Sequence, residues 1–345
     1  MKARLGIFRG FNPKDEGHYR DACRRLGIAS ETVDILGPNW MAEVRRSPCD
    51  GFLVRPPDSI PEWKTIFDER LYFITKVLGK KIYPSYEEIL LYGNKRVMTY
   101  WLQAHGYPHP KTRIFARRQD AREYIRQAEF PMVFKASAGA SSSGVDIIYS
   151  ARAAEKVINR IFGRFHPMLA VGYLRYKKKY GLPIPRLGAM QRHYLIVQDY
   201  KNIKWEWRII KIDNSYFGHR KLLSGGFASG SDRVGWVAPP EDILRLAKEV
   251  CETGKFYSMA LDIFETCDDE YLINEMQSLF GSYNKSQMYI NGIPGRYVYR
   301  DGSFHFERGY FNQCGSCLLR VKHFLKILDG TAGEEAKGNA CTGEG

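Results

Sequence analysis

The chain has 345 residues, 44% hydrophobic and 14% aromatic, enough to bury a large core spread over two or three lobes. It holds no uncharged apolar run of about 18 residues, and Arg9 interrupts the short apolar stretch near the N-terminus, so neither a membrane-spanning helix nor a secretory leader is expected and a cytoplasmic protein is. The net charge of +14 is scattered in short clusters such as Arg45-Arg46 and Lys177-Lys178-Lys179 without a nucleic-acid motif, so nucleic acid is not the expected partner, and binding of polyanionic metabolites or simple solubility explains the charge equally well.

Residues 1–85 alternate strand and helix. Arg4–Phe8 reads as a short strand, and Tyr19, Ala22, Cys23 and Leu26 recur with helical spacing. Thr32–Leu36 and Gly51–Val54 read as strands, Trp63, Ile66, Phe67, Ile74 and Leu78 line one long helix, and Pro84 stops a last strand at Lys81–Tyr83. Such alternation predicts a parallel sheet covered by helices. Residues 86–128 read as mostly helical, with a turn at 106–110 and a strand at Thr112–Phe115. Pro131–Lys135 and Val145–Tyr149 are strands flanking a loop made only of Ala, Ser and Gly, followed by a helix marked by Ala154, Val157, Ile158 and Ile161. Residues 163–192 read as a long loop or insertion rich in Gly, Pro, Tyr and Lys.

From about residue 193 the chain turns strand-rich: His193–Gln198, Trp205–Ile212 and Tyr216–Leu223, then a helix over Pro240–Thr253, then Ser258–Phe264 and Tyr271–Glu275. This predicts an α+β lobe on an antiparallel sheet. The tail 329–345, ending in GTAGEEAKGNACTGEG, is expected to be disordered. The expected organisation is therefore an N-terminal α/β domain (1–90), a small lobe (91–192) and a C-terminal lobe (193–328).

Three features bear on chemistry. The loop Ala136–Gly144 has the small residues that let backbone N–H groups approach phosphate oxygens, but Lys135 precedes it and it fits neither standard phosphate-loop fingerprint; a plain hairpin explains it equally well. Asp262 in MALDIF and Glu275 in LINEMQ interrupt apolar strands joined by a turn, and Gln277 would share the face of Glu275. Two carboxylates and an amide oxygen suit Mg²⁺, although ordinary polar hairpin positions fit as well. In WEWRIIKI, Glu206 and Arg208 lie on one face of a strand, as an ion pair or as part of a phosphate clamp. Cys314 and Cys317 alone have metal-like spacing; with His305 as the only further candidate they read as reduced thiols near a turn.

The order of these features resembles the ATP-grasp superfamily over roughly residues 1–285. NKRVMTYWLQAHGYPHPKT is similar to that family's lysine-bearing helix start, and FPMVFKASAGASSSGV to its strand lysine and phosphate-covering loop. The resemblance implies an ATP-grasp fold, a mixed α/β and α+β architecture in which two lobes sandwich ATP behind an N-terminal α/β domain. It implies phosphate contacts from Lys95, Lys135 and Arg208, a cover formed by Gly139, Ser141, Ser142, Ser143 and Gly144, and an adenine hinge at Gln198, Asp199 and Tyr200. Glu206 would belong to the nucleotide site, Asp262, Glu275 and Gln277 would hold Mg²⁺ (or Mn²⁺), and Arg220, Lys221 and Arg233 would serve the acyl phosphate or substrate. Two departures stand out: Gln277 replaces the family's usual Asn, and the hinge reads Gln-Asp-Tyr.

The implied activity is an ADP-forming ligase that phosphorylates a small-molecule carboxylate and passes it to an amine. A kinase acting on a sugar or other hydroxyl is the alternative, and a nucleic-acid-binding protein has only the charge in its favour. Phrases such as FASGS and FYSMALDIF also resemble ATP-grasp proteins encoded with surface-polysaccharide genes, which points to sugar-linked substrates. A homodimer is compatible with these features.

Overall fold

A computed structural model of the protein describes residues 3–9, 13–56, 61–137, 144–163, 191–224, 227–228, 234–280 and 284–331. The N-terminal residues build a parallel sheet whose central strands are buried on both faces. The elements are β1 (Arg4–Phe8), α1 (Pro13–Arg25), β2 (Ala29–Val33), α2 (Trp40–Arg46), β3 (Gly51–Leu53), α3 (Pro61–Tyr72) and β4 (Lys81–Tyr83), with strand order β2-β1-β3-β4. Leu5, Ile7 and Leu53 face one helical layer that contains Tyr19, Ala22 and Cys23 of α1, while Phe8 and Phe52 face Val44, Phe67 and Leu71 on the other side. The Phe8 and Phe52 rings stack at 4.8 Å. A Cβ at Gly6 would lie 2.2 Å from the Phe52 ring, so this strand position has room only for glycine.

Two boundaries differ from the sequence reading. β2 ends at Val33, because the Asp34 carboxylate accepts hydrogen bonds from the N–H groups of Leu36 (3.0 Å) and Gly37 (3.2 Å) and turns the chain. The long helix is not uniform: α3 gives way to a π-helical turn over Phe73–Val77, and along the stretch Phe67 and Ile74 stay in the core while Ile66 and Val77 are exposed.

The small lobe comprises α4 (Tyr86–Leu91), α5 (Lys95–Ala104), β5 (Thr112–Phe115), α6 (Arg118–Gln127), β6 (Met132–Lys135), β7 (Val145–Ile148), α7 (Ala151–Phe162) and β8 (Leu195–Asp199). Its antiparallel sheet runs β5-β8-β6-β7 and packs Met132, Phe134, Ile148, Leu195 and Val197 against α6 and α7. Of the small-residue loop only the ends are described. Gly144, at φ 81°, accepts the Ala136 N–H at 2.7 Å and closes the hairpin base beside Lys135. Gly139, Ser141, Ser142 and Ser143 lie outside the described residues, as do Arg233, nearly all of the 163–192 insertion and residues 332–345.

The large lobe contains β9 (Ile203–Ile212), β10 (Ser215–Lys221), the two-residue strands β11 (Leu223–Ser224), β12 (Phe227–Ala228) and β13 (Val234–Gly235), α8 (Glu241–Thr253), β14 (Ser258–Thr266), β15 (Tyr271–Gln277), β16 (Tyr289–Ile290), β17 (Ile293–Arg300), β18 (Ser303–Arg308) and α9 (Cys317–Asp329). The main sheet runs β15-β14-β9-β10-β17-β16 and is antiparallel. One face carries Trp207, Ile209, Met259, Leu261 and Ile263 against α8 and α5. The opposite face changes character along the strands. Ile210, Ile212, Phe217 and Ala260 form an apolar cluster with Phe280 and Met288, whereas Glu206, Arg208, His219, Lys221 and Asp262 make the neighbouring part charged.

α9 joins the two ends of the chain. Val321 and Phe324 are buried among Leu5, Ile7, Leu53 and Tyr83 of the N-terminal domain, while Leu319 packs on the Phe280 and Met288 cluster of the large lobe. Phe324 fits because residue 51 is glycine: a Cβ there would lie 2.4 Å from the ring. Phe324→Ala is expected to cost about 3–5 kcal/mol in urea unfolding. A cost near zero would show that α9 does not hold the N-terminal core.

Candidate active site

The charged part of the large sheet sits where four strands pair in one row: Glu275 of β15 opposite Asp262 of β14, Asp262 opposite Arg208 of β9, and Arg208 opposite His219 of β10. Asp262 is only 2% exposed. Arg208 grips it with two hydrogen bonds, Nε to Oδ1 at 2.8 Å and Nη2 to Oδ2 at 2.7 Å, and Lys221 Nζ reaches Oδ2 at 2.5 Å. Burial opposes ionisation of Asp262, but the two cations outweigh it and hold the carboxyl well below the usual carboxylate range. Lys221 also donates to Glu206 at 3.2 Å, and Arg208 donates to Gln277 Oε1 at 3.3 Å. Burial, followed by the Arg208 charge, lowers His219 to about 4, so this ring is neutral beside the row, with Nδ1–H donating to the Gln287 carbonyl at 3.1 Å.

The register between β14 and β15 shifts directly after the Asp262–Glu275 pair, where Ile263 meets Ile273 and Asn274 becomes an extra residue. Such a bulge re-aims a side chain. Asn274 Nδ2 donates to Glu206 at 2.8 Å, and its Oδ1 accepts from Lys135 Nζ at 2.7 Å. Asn274 was not among the expected site residues. Its signal was a polar side chain in LINEMQ at a position that strict alternation assigns to the apolar face.

Two lysines of the small lobe meet this row. Lys95 is the first residue of α5, after the Asn94 cap, where a positive charge opposes the helix dipole. Its Nζ lies 3.4 Å from Glu275 Oε1. Lys135 ends β6, and its described hydrogen bond goes to the Asn274 amide rather than to a carboxylate. Burial, and then the Lys95 charge, push Lys135 down to about 8. The site therefore gathers Lys95, Lys135, Arg208 and Lys221 against Glu206, Asp262 and Glu275, which is four cations against three carboxylates.

Other expected residues lie apart. Arg220 is on the reverse face of β10, with its guanidinium over the rings of Trp205 (4.9 Å) and Trp207 (4.7 Å), because alternation turns it away from Lys221. Gln198 donates to Thr112 Oγ1 at 3.1 Å and Asp199 pairs with Arg113 at 3.2 Å, so both side chains brace the small sheet. The segment through Tyr200 is the crossing from β8 to β9, between the two sheets. Asp262, Glu275 and Gln277 do not form a ready metal cage, since both oxygens of Asp262 are taken by Arg208 and Lys221. Among the described residues no group of three or more His, Cys, Asp or Glu side chains is arranged for a metal ion. Cys314 and Cys317 sit at the turn that opens α9.

The architecture matches known structures. D-alanine–D-alanine ligase from Bacillus anthracis, solved with ATP, superposes with a TM-score of 0.61 at 10% identity, covering 96% of this chain and 99% of that one. The D-cycloserine synthetase DcsG gives 0.60 at 17% identity, with 94% and 100% covered. The ADP complex of the N5-carboxyaminoimidazole ribonucleotide synthetase PurK gives 0.56 at 12% identity, with 80% and 70% covered. No family model and no curated protein matches the sequence. The chain has the ATP-grasp fold.

Asp262→Asn leaves Arg208 without its carboxylate and Lys221 with Glu206 alone, an expected loss of about 3–5 kcal/mol in urea unfolding at neutral pH in metal-free buffer. The unfolded chain protonates this aspartate below about pH 4 while the folded one keeps it ionised, so acid favours unfolding of the wild type and the difference from the variant shrinks as pH falls. A penalty that is small or independent of pH contradicts the geometry.

Proposed function

We propose that the protein is an ADP-forming ligase that uses ATP to activate a small-molecule carboxylate as an acyl phosphate, which an amine then captures to form an amide or peptide-like bond. The observation that carries this reading is Lys135: buried, next to Lys95, bonded to a neutral amide, and placed where a small-residue loop leaves its strand. A buried ammonium whose charge is disfavoured by its surroundings calls for an anion, and phosphate oxygens of ATP supply one. The ATP-grasp fold supports the choice of nucleotide.

In this reading Lys95 and Lys135 hold phosphate oxygens, and the chain through Tyr200 meets the base with its backbone. Arg208 and Lys221 can trade the Asp262 carboxylate for phosphate oxygens, which releases Asp262 as a ligand. Glu275 and Gln277, with Asp262 once released, supply hard oxygen donors suited to Mg²⁺ (or Mn²⁺). The metal, when bound, neutralises charge on the phosphates. Transfer of a phosphoryl group to a carboxylate then depends on positioning and electrostatics rather than on a protein nucleophile. Glu206 and Asn274 hold Lys221 and Lys135 at their spacing. The acid and amine substrates are small molecules, with sugar-linked acids or amines among the first to test, and the setting is cytoplasmic.

ADP release should require both an acid and an amine, and mass spectrometry should find the amide. ADP formed with a stable phosphorylated alcohol and no amine requirement would make the enzyme a kinase instead. Lys135→Ala and Glu275→Ala should each lower kcat/KM for ATP by roughly a hundredfold or more; unchanged turnover in both contradicts the reading. Phosphates favour charged Lys135, so its pKa rises on binding. Above about pH 8 ATP binding should take up a proton and weaken by up to about tenfold per pH unit, a dependence that calorimetry should find lost in Lys135→Ala.

A further inference from the structure

Arg320 of α9 is completely buried, yet two of its three nitrogens, Nε and Nη1, have no hydrogen-bond partner among the described residues. Its Nη2 makes only long contacts, 3.5 Å to the Ser278 carbonyl and 3.4 Å to the Phe280 carbonyl, and the guanidinium stacks over the Phe280 ring at 4.3 Å. The neighbouring polar atoms are also unsatisfied. The Tyr19 hydroxyl of α1 lies beside the charges of Arg320 and Arg55 and makes no close hydrogen bond among the described residues, and neither does Ser278 Oγ. The buried Glu88 carboxyl is not the missing counter-ion, because the N–H groups of Ser85 and Ser258 hold it at 2.7 Å each.

A buried guanidinium without an anion is among the most costly groups a core can hold, and an apolar side chain of similar volume would anchor α9 at lower cost. The donors converge from the N-terminal domain, the segment after β15 and α9, and Ser278 directly follows Gln277. We propose that Arg320, with the hydroxyls of Tyr19 and Ser278, is an oxyanion subsite that receives the non-reacting carboxylate or phosphate ester of the substrate. The word substrate rests on the ligase reading; the anion site does not.

Thermal unfolding with inorganic phosphate or acetate, against chloride at matched ionic strength, tests this on the full chain. Wild type should melt several degrees higher in phosphate if the group recognised is a phosphate ester, or in acetate if it is a carboxylate. The shift should persist in Lys135→Ala, which separates it from the proposed ATP-phosphate site, and vanish in Arg320→Met. Without added anion Arg320→Met should melt at or above wild type, since it removes an uncompensated charge. Tyr19→Phe, which keeps the packing, should show a reduced shift and serves if Arg320→Met does not fold. Absence of any shift dependent on these residues, with either anion, overturns the subsite, and so does a Tyr19→Phe shift equal to that of wild type. Mg·ATP added to the same samples reads the nucleotide site separately. An ATP shift without an anion shift defeats the subsite alone, and the reverse defeats the ligase reading alone.

Discussion

The site is organised around the Asp262 carboxylate, buried at the centre of three paired strands and held by Arg208 and Lys221. Burying these ions costs several kcal/mol each before their mutual attraction is counted, and removing any one strands the others. Glu206 extends the network from Lys221 to Asn274, and Asn274 hands it to Lys135 in the small lobe. Lys95 closes the same contact from α5 onto Glu275. At the site the two lobes therefore meet through alternating charges and one amide, beside the apolar packing of α5 on the large sheet, and the polar part of this contact can be rewired by an incoming polyanion.

The bulge at Asn274 makes this arrangement possible. Regular pairing of β14 and β15 would put residue 274 on the apolar face against α5 and α8, and Lys135 would lose its described partner. With the bulge, neighbouring residues 274 and 275 take on different cations, Lys135 and Lys95. The consequence is a lysine whose proton is held loosely, with the Lys95 charge nearby and, among the described residues, an amide rather than a carboxylate bonded to it.

Much of the fold was legible in the sequence. β1 and β4 have the limits that alternation and Pro84 imply, and the parallel N-terminal sheet followed from strand–helix repetition. β2 was misplaced because the Asp34 turn competes with a run that still reads as alternating. β16, β17 and β18 went unread, and the packing of α9 on the first strands is a contact between chain ends that no local pattern announces. At the site, Lys95 and Lys135 were reached through the family resemblance, as a lysine at a helix start and a strand lysine before the small-residue loop. The capture of Asp262 by Arg208 and Lys221 was hidden, because it depends on register across three strands. Arg220 was drawn into the expected site by the family resemblance; its alternation with His219 and Lys221 already placed it on the other face.

Crystallography with a non-hydrolysable ATP analogue and Mn²⁺ addresses the exchange of anions most directly. The phosphates should lie on Lys95 and Lys135, with Lys135 Nζ moved off Asn274, and anomalous density for Mn²⁺ should fall beside Glu275 and Gln277. Nucleotide bound away from these lysines, or bound with every Lys135, Arg208 and Lys221 contact unchanged, would contradict the proposed role of the charged row.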